Sequence, residues 1–358
     1  MRPLGRTLAT LAIAATTTLA ACSDSTGPDT VSSIDADVAA AKVAPIAAVF
    51  EQSAFESMAF AGNYFASAPS TGFAAVAKLT TSLRGSRSGD ASAILLARSA
   101  AAVVTADVVP ETVKGNTYVY DPSVNDYVLS DATGAPANGI RIVLYAWDAL
   151  AGAPASPLAR IGYVDLIDQS TASSDALRVR VVRDQGSATL ADYVISQALT
   201  ASGTTFGING SASNATTTVN FGLNASVTGA EGAEKITAAF DVSVPALGYS
   251  VGLQSSFDAA LERETASLSI GYDGHALTFD QTSTATSAQG EVKYDGRLYA
   301  SFTATYNATT GEYTERFVKA NGQPLTQQEL AELSALFGRA FDLGSFWIGL
   351  LWPVYAFA

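Results

Sequence analysis

Histidine and cysteine occur once each in the 358 residues, as His275 and Cys22, and methionine only twice. A single cysteine forms no disulfide within the chain. One histidine with one thiol cannot assemble the familiar zinc sets, which draw three or four ligands from these residue types. Charge is also sparse. Asp, Glu, Lys and Arg make up 15% of the chain, and the 20 basic residues face 33 acidic ones, for a formal net charge of −13. That balance excludes phosphate-backbone binding, which needs clustered Lys and Arg. Nucleic acid is therefore not an expected partner. Gly248-Tyr249-Ser250-Val251-Gly252 spells Gly-x-Ser-x-Gly, but it falls in an alternating strand segment and not at a strand-to-helix turn, so neither His275 nor any serine sits in a recognisable nucleophilic constellation.

What the chain has in place of these is alternation, from about Gly115 to Val318. Val219, Phe221, Leu223, Ala225 and Val227 fall on one side of a two-residue period, and Thr218, Asn220, Gly222, Asn224 and Ser226 on the other. Ile236, Ala238, Phe240, Val242 and Val244 repeat the scheme. Side chains of a strand point alternately to opposite faces, so the pattern predicts a sheet with one dry and one wet face. Asp273-Gly274 and Asp295-Gly296 are pairs that tolerate the positive φ of two-residue hairpins, while Thr310-Gly311 and Asn321-Gly322 mark further reversals. From Tyr249 onward the order of strands in sequence is therefore expected to be their order in space. Earlier strands are expected at Thr117–Tyr120, Tyr127–Leu129, Ile140–Trp147, Ala159–Leu166, Leu177–Arg183 and Thr189–Thr200. Ile140–Trp147 is apolar on both sides, which predicts cover on both faces. Arg178, Arg180 and Asp184 give the Leu177 strand a charged outer side.

Flanking regions change period. Between Ile34 and Val109, Ile46, Phe50, Ala54, Met58 and Ala61 step along one helical face, with Pro45 read as the first helical residue and Gly62-Asn63 as the end. Asp90 is a good N-cap for a second helix bearing Ile94, Leu95, Ala101 and Val104. The intervening Thr80–Gly89, with Arg84 and Arg87, lacks the glycine spacing of a P-loop and reads as an exposed loop. Near the C-terminus, Thr326 and Glu329 form a capping box stapled by Leu325 and Leu330. The stripe Leu330, Leu333, Leu336, Phe337, Ala340 and Phe341 that follows must bury itself, and the dry sheet face is the available partner. The apolar tail Phe346–Tyr355 is too short to span a bilayer. The expected fold is α+β and mainly β: a large curved antiparallel meander with an N-terminal helical region (34–110), the sheet (115–320), and a C-terminal helix and tail (324–358).

The first residues have the form of a secretory leader. Arg2 and Arg6 precede an apolar stretch, Leu8–Thr18, and then Leu19-Ala20-Ala21-Cys22. This tetrad resembles the lipobox of bacterial lipoproteins. The resemblance implies cleavage after residue 21 and acylation of Cys22, with palmitate among the chains expected there. Acyl chains contribute about 0.8 kcal/mol per buried methylene, which anchors a protein without a membrane helix. Loss of the leader removes Arg2 and Arg6 and no acid, so the formal charge deepens from −13 to −15. Residues 22–33, small, polar and broken by Gly27-Pro28, read as a tether. Ser23 after the cysteine leans towards the outer membrane by the enteric sorting rule, with the periplasmic or surface side left open.

Candidate chemistry is thin. His275 follows a hairpin turn, where a solvated surface role is the ordinary reading. Glu262 and Glu264 lie two apart and would share a strand face. Asp35 with Asp37, and Asp121 with Asn125 and Asp126, hold oxygen ligands but lack the spacing of a calcium loop. No catalytic residue, metal or cofactor is therefore expected. In architecture the chain resembles the half-barrel lipoprotein carriers of bacterial envelopes. That resemblance implies a lipid-anchored envelope protein binding a hydrophobic small molecule or lipid on a dry concave face, lined by Phe221, Phe240, Leu253, Phe279, Phe302, Leu333, Phe337 and Phe341. One alternative is a structural or surface-display lipoprotein with a filled core that engages other envelope proteins. A third reading is an outer-membrane β-barrel.

Overall fold

In a computed structural model of the chain, residues 36–65, 108–230, 233–307 and 312–350 are described. Cys22, the tether, the Asp90 helix, the Thr80–Gly89 loop and the Thr310-Gly311 turn lie outside them. The described residues form one 15-stranded sheet, a two-stranded ribbon and three helices, α1 (Ala36–Phe50), α2 (Ser53–Phe65) and α3 (Gln327–Leu350).

The sheet starts with a hairpin, β1 (Thr117–Asp121) and β2 (Asp126–Ser130). β1 then pairs in parallel with β3 (Gly139–Tyr145), the one parallel junction in an otherwise antiparallel sheet. The ribbon, β4 (Trp147–Asp148) with β5 (Ala153–Pro154), is a side loop. From β6 (Arg160–Asp168) the chain is an uninterrupted meander: β7 (Ser174–Arg183), β8 (Thr189–Thr200), β9 (Gly203–Ser213), β10 (Thr218–Thr228), β11 (Lys235–Val244), β12 (Tyr249–Asp258), β13 (Arg263–Tyr272), β14 (His275–Ser283), β15 (Ser287–Tyr294), β16 (Arg297–Asn307) and β17 (Glu312–Lys319). Sequence order is spatial order from β6 to β17, a longer run than the Tyr249 start expected from the turns. Asp273, Gly274, Asp295 and Gly296 all take positive φ, as the two-residue hairpins require. The sheet is open, with β2 and β17 as its edges.

Register places the apolar alternates in rows across the strands. Ile195, Ile208, Leu223, Phe240, Leu253, Leu268, Phe279 and Val292 form one such row from β8 to β15. α3 lies on this face. Its Phe337 ring meets Phe279 at 5.5 Å, and at its far end the Leu350 carbonyl accepts a 2.9 Å hydrogen bond from the Tyr193 hydroxyl on β8. Twenty-four residues at about 1.5 Å each give a helix of roughly 36 Å, close to the roughly 38 Å that separates β8 from β16 at about 4.8 Å per strand. α3 therefore runs across the strands, not along them. Its start is the expected capping box: the Thr326 amide donates to Glu329 Oε2 at 2.7 Å, and the Glu329 amide to Thr326 Oγ1 at 3.2 Å. Lys319 on β17 ties Glu329 to the sheet at 2.7 Å.

α1 packs beside α3 on the same face. Lys42 reaches Asp273 Oδ1 at 2.6 Å and the Leu247 carbonyl at 3.1 Å, while Phe50 lies 6.5 Å from Phe221. Here two expectations are corrected. Pro45 is inside α1, not at its first position, and the stripe from Ile46 to Ala61 is split between two helices. The break falls at Glu51-Gln52, where Gln52 turns its side-chain amide onto the Val49 carbonyl and the Ser213 carbonyl of β9. Ile46, Ala54, Met58 and Ala61 are buried even so. α2 also runs on to Phe65, beyond Gly62-Asn63, and packs against β3 and β6. β3 is buried along nearly its whole length, as its two-faced apolar pattern requires. Among the described residues no helix is long and apolar enough to cross a membrane.

Candidate functional site

The residues expected to line a hydrophobic cavity are packed against aromatic rings and helix side chains. Phe221, 4% exposed, has Tyr193 at 5.8 Å, and Phe279 lies between Phe302 at 6.2 Å and Phe337 at 5.5 Å. Phe302 in turn meets Phe317 at 4.8 Å. Leu333 and Phe337 are buried in the same core, with Phe240 and Leu253 partly buried against it. Phe341 is in α3, outside the described side chains.

A cavity lies on the opposite, polar face. It is a trough of about 1080 Å³ with contributions from every strand between β8 and β16. Register explains how nine strands converge on it. One cross-strand row runs from Ser196 through Asn224, Ala239 and Gln254 to Ser267 on β13, then continues through Asp280 and Glu291 to Ser301 on β16. Two residues along each strand, a second row of hydroxyls and amides runs from Thr205 to Thr303. Side chains of nine neighbouring strands surround one space only if their face is the inner side of the curl. The wet face is therefore the concave one where the trough lies, whereas the expectation set the concave face on the dry side.

Side-chain bulk accounts for the direction of bending. The apolar face holds Phe, Tyr, Leu and Ile beneath three helices, whereas the polar face holds Gly, Ser, Ala, Thr and Asn. The inner surface of a curl has less room per residue, so the smaller set goes there. Gly222 shows the limit: a Cβ at this position would stand 2.5 Å from Asp241 Oδ1 and 3.0 Å from Asn209 Oδ1. At Gly252 it would stand 2.8 Å from Ser269 Oγ. Phe302 also borders the trough, through its backbone, since its ring packs with Phe279 and Phe317 on the other face.

The trough's electrostatics are simple. None of the described residues lining it is Lys, Arg or His. Its only ionisable groups are Asp280 and Glu291, at one end. Asp280 accepts a 2.7 Å hydrogen bond from Ser267 Oγ, and Lys293 lies 2.9 Å from Glu291 and 4.0 Å from Asp280. Elsewhere the hydroxyls and amides contact one another, as in Ser226 with Thr237 at 2.7 Å and Asn209 with Asn224 at 3.3 Å. Neutral hydroxyls and carboxamides both donate and accept, so this surface can meet a ligand in either sense.

The other acids singled out from sequence are dispersed. Glu262 has φ +45° in an exposed turn, whereas Glu264 is the second residue of β13, on the apolar face, and is 7% exposed. The two carboxyls therefore form no pair. Burial pushes the Glu264 carboxyl up to about 7, and its Oε1 has no hydrogen-bond partner among the described residues. His275 is exposed at its hairpin, stacked on Tyr294 at 5.4 Å and 2.9 Å from Asp295, whose carboxyl the histidine bond holds below its ordinary range. Asp121 bonds the Ser123 amide and hydroxyl, which lowers its pKa, and Asn125 accepts from the Tyr120 hydroxyl. These groups stabilise a turn and do not converge. Asp35 lies outside the described residues, and Asp37 is in the first turn of α1. Among the described residues no group of three His, Cys, Asp or Glu is placed to hold a metal ion.

The alternation was readable as two faces, but the trough was not readable as a site. The usable signal was the set of glycines among the polar alternates, which marks the inner side of a bend. No protein-family model, no curated protein and no solved structure matches the chain.

Proposed function

We propose that this chain is a cell-envelope lipoprotein, held by lipid on Cys22, that binds a polar ligand without catalysis in the concave trough of its sheet. The observation that supports this reading is the trough itself: a space of about 1080 Å³ bordered by nine consecutive strands, whose lining is neutral apart from Asp280 and Glu291. That volume is at or above the upper end of small-molecule pockets, about 300–1,000 Å³. The apolar face, by contrast, is occupied by α1, α2 and α3, which speaks for a core there. Among the described residues the sheet also stays open between its end strands β2 and β17, and hydrocarbon does not tolerate an open sheet edge, so the barrel reading is not pursued.

Two measurements test the proposal. Radiolabelled palmitate should enter the full chain in bacterial cells and be absent from Cys22→Ser; label in both, or in neither, removes the anchor. For the trough, water-soluble and lipid fractions of the producing envelope are titrated into isotope-labelled protein. The side-chain amide resonances of Asn224 and Gln254 should shift with the water-soluble fraction. Shifts confined to Phe240 and Leu253 with the lipid fraction would instead establish the hydrophobic carrier.

A further inference from the structure

We infer that the ligand of the trough is an uncharged, polyhydroxylated glycan chain. This inference rests on the reading of the trough as a binding site and adds the chemical class of what it takes. Three properties of the lining lead to it.

The first is hydrogen-bonding character. The floor is a sheet face, so the backbone groups of its strands are already used in the ladders on either side. A peptide that recognises a sheet adds to an edge, where backbone is free, and reads side-chain pockets of alternating depth. Neither is offered here. What the floor presents is rows of hydroxyls and carboxamides such as Asn224, Thr237, Gln254 and Thr265, each both donor and acceptor. Sugar hydroxyls have the same dual character, so a glycan can satisfy this surface in many registers.

The second is charge. The absence of Lys, Arg and His among the described lining residues leaves an anionic ligand without a counter-charge. Asp280 and Glu291 at one end would repel it. Carboxylates are acceptor-only and offer two oxygens each, which suits a pair of neighbouring hydroxyls. Lys293 on their flank offsets part of their charge, so a free cation is not required to fill the site.

The third is extent. From β8 to β16 the strands cover roughly 38 Å of arc at about 4.8 Å each. A single sugar would touch only a few of them. An oligomer lying across the strands meets a hydroxyl or an amide at each step of the second row, from Thr205 to Thr303, because the register repeats it from strand to strand.

The experiment uses full-length protein in lauryldimethylamine oxide and saturation-transfer NMR with titration. The probes are cellohexaose, chitohexaose and maltohexaose, with hexagalacturonate as anionic control and hexalysine as cationic control. At least one neutral hexasaccharide should bind, with hexagalacturonate and hexalysine at least tenfold weaker. Ala239→Trp, which fills the middle of the trough, should weaken that binding at least tenfold. Gln254→Ala removes an exposed side chain from a folded strand and should weaken it at least threefold. No binding by any neutral glycan, equal binding of hexagalacturonate or hexalysine, or unchanged affinity in both variants overturns the inference. If the envelope's water-soluble fraction still shifts Asn224 and Gln254 while all three glycans fail, the trough remains a binding site and only the glycan assignment falls.

Discussion

The polar face of the sheet is built in two ways, and the boundary between them is β8. On β3, β6, β7 and β8 it carries a ladder of alternating charge: register sets Arg141 opposite Asp165, Asp165 opposite Arg180, and Arg180 opposite Asp192. Arg141 holds Asp165 through two bonds of 2.7 and 2.9 Å while its guanidinium lies 3.6 Å over the Tyr163 ring. Arg178 clasps Asp192 through bonds of 2.8 and 2.6 Å. Beyond β8 the same face has no such ladder. Its residues are small and mostly neutral, and they enclose a space. Where long side chains pair with each other, the face closes on itself. Where short ones line the inside of a curl, it leaves room for something else. Two parts of one sheet, continuous in hydrogen bonding, thus have different relations to solvent.

The strongest way to break this contrast is at the ladder. Arg141→Met leaves the Asp165 side chain, only 7% exposed, without its guanidinium, and should cost about 3 kcal/mol in chemical denaturation. Arg178→Met acts on a pair that is 38% and 31% exposed, and should cost less than about 1 kcal/mol. Equal losses at the two sites would show that burial does not distinguish them.

A second test uses pH on the apolar side of the curled part. The Glu264 carboxyl is raised from 4.5 to about 7 by burial. Between those values the native state binds more protons than the unfolded one, so stability falls as pH rises. The contribution of the protonated form is fully present below pH 4.5 and lost by about pH 7. The loss should be on the order of 2 kcal/mol, and Glu264→Gln should flatten that stretch of the stability profile. A wild-type profile without a slope between those values removes the buried-carboxyl account.

Smaller effects complete the comparison. Thr326→Ala deletes the cap of the helix that spans the curled part and should lower stability by about 1 kcal/mol, read as a shifted denaturation midpoint. Gln254→Ala in the trough should change stability by no more than about 0.5 kcal/mol, since exposed positions without structural partners rarely do more. A loss as large as that of Arg141→Met would mean that the trough residues support the fold and are not held for a ligand.

Much of the architecture was legible because it follows from local rules. Alternation fixed which residues share a face, Asp-Gly pairs fixed the late hairpins, and Thr326 with Glu329 fixed the start of α3. Other features depend on partners distant in sequence. Pro45 has the local character of a first helical residue, yet packing against α3, with β9 and β10 beneath, carries the helix through it. The break at Gln52 depends on a carbonyl at Ser213. The sense of the curl was hidden for a similar reason. A two-residue period states that faces differ but not which one is inside, and that is decided by bulk summed across nine strands. Glu262 and Glu264 show the same limit at a single site, since a positive φ at one residue separates what alternation would have paired.

The crosswise course of α3 has a consequence for the order of assembly. Each hairpin of the meander closes over a few residues, so strands can pair as soon as their neighbours exist. The bond from Tyr193 to Leu350 joins positions 157 apart and involves the last residue described. Contacts of such separation come late because closing a long loop must precede any gain from them. The strands can thus be paired before their curvature is set. The trough would take its final width only when α3 has been laid across its back, and a ligand that bridges the strands from the inside would then favour the same closure as the helix does from the outside.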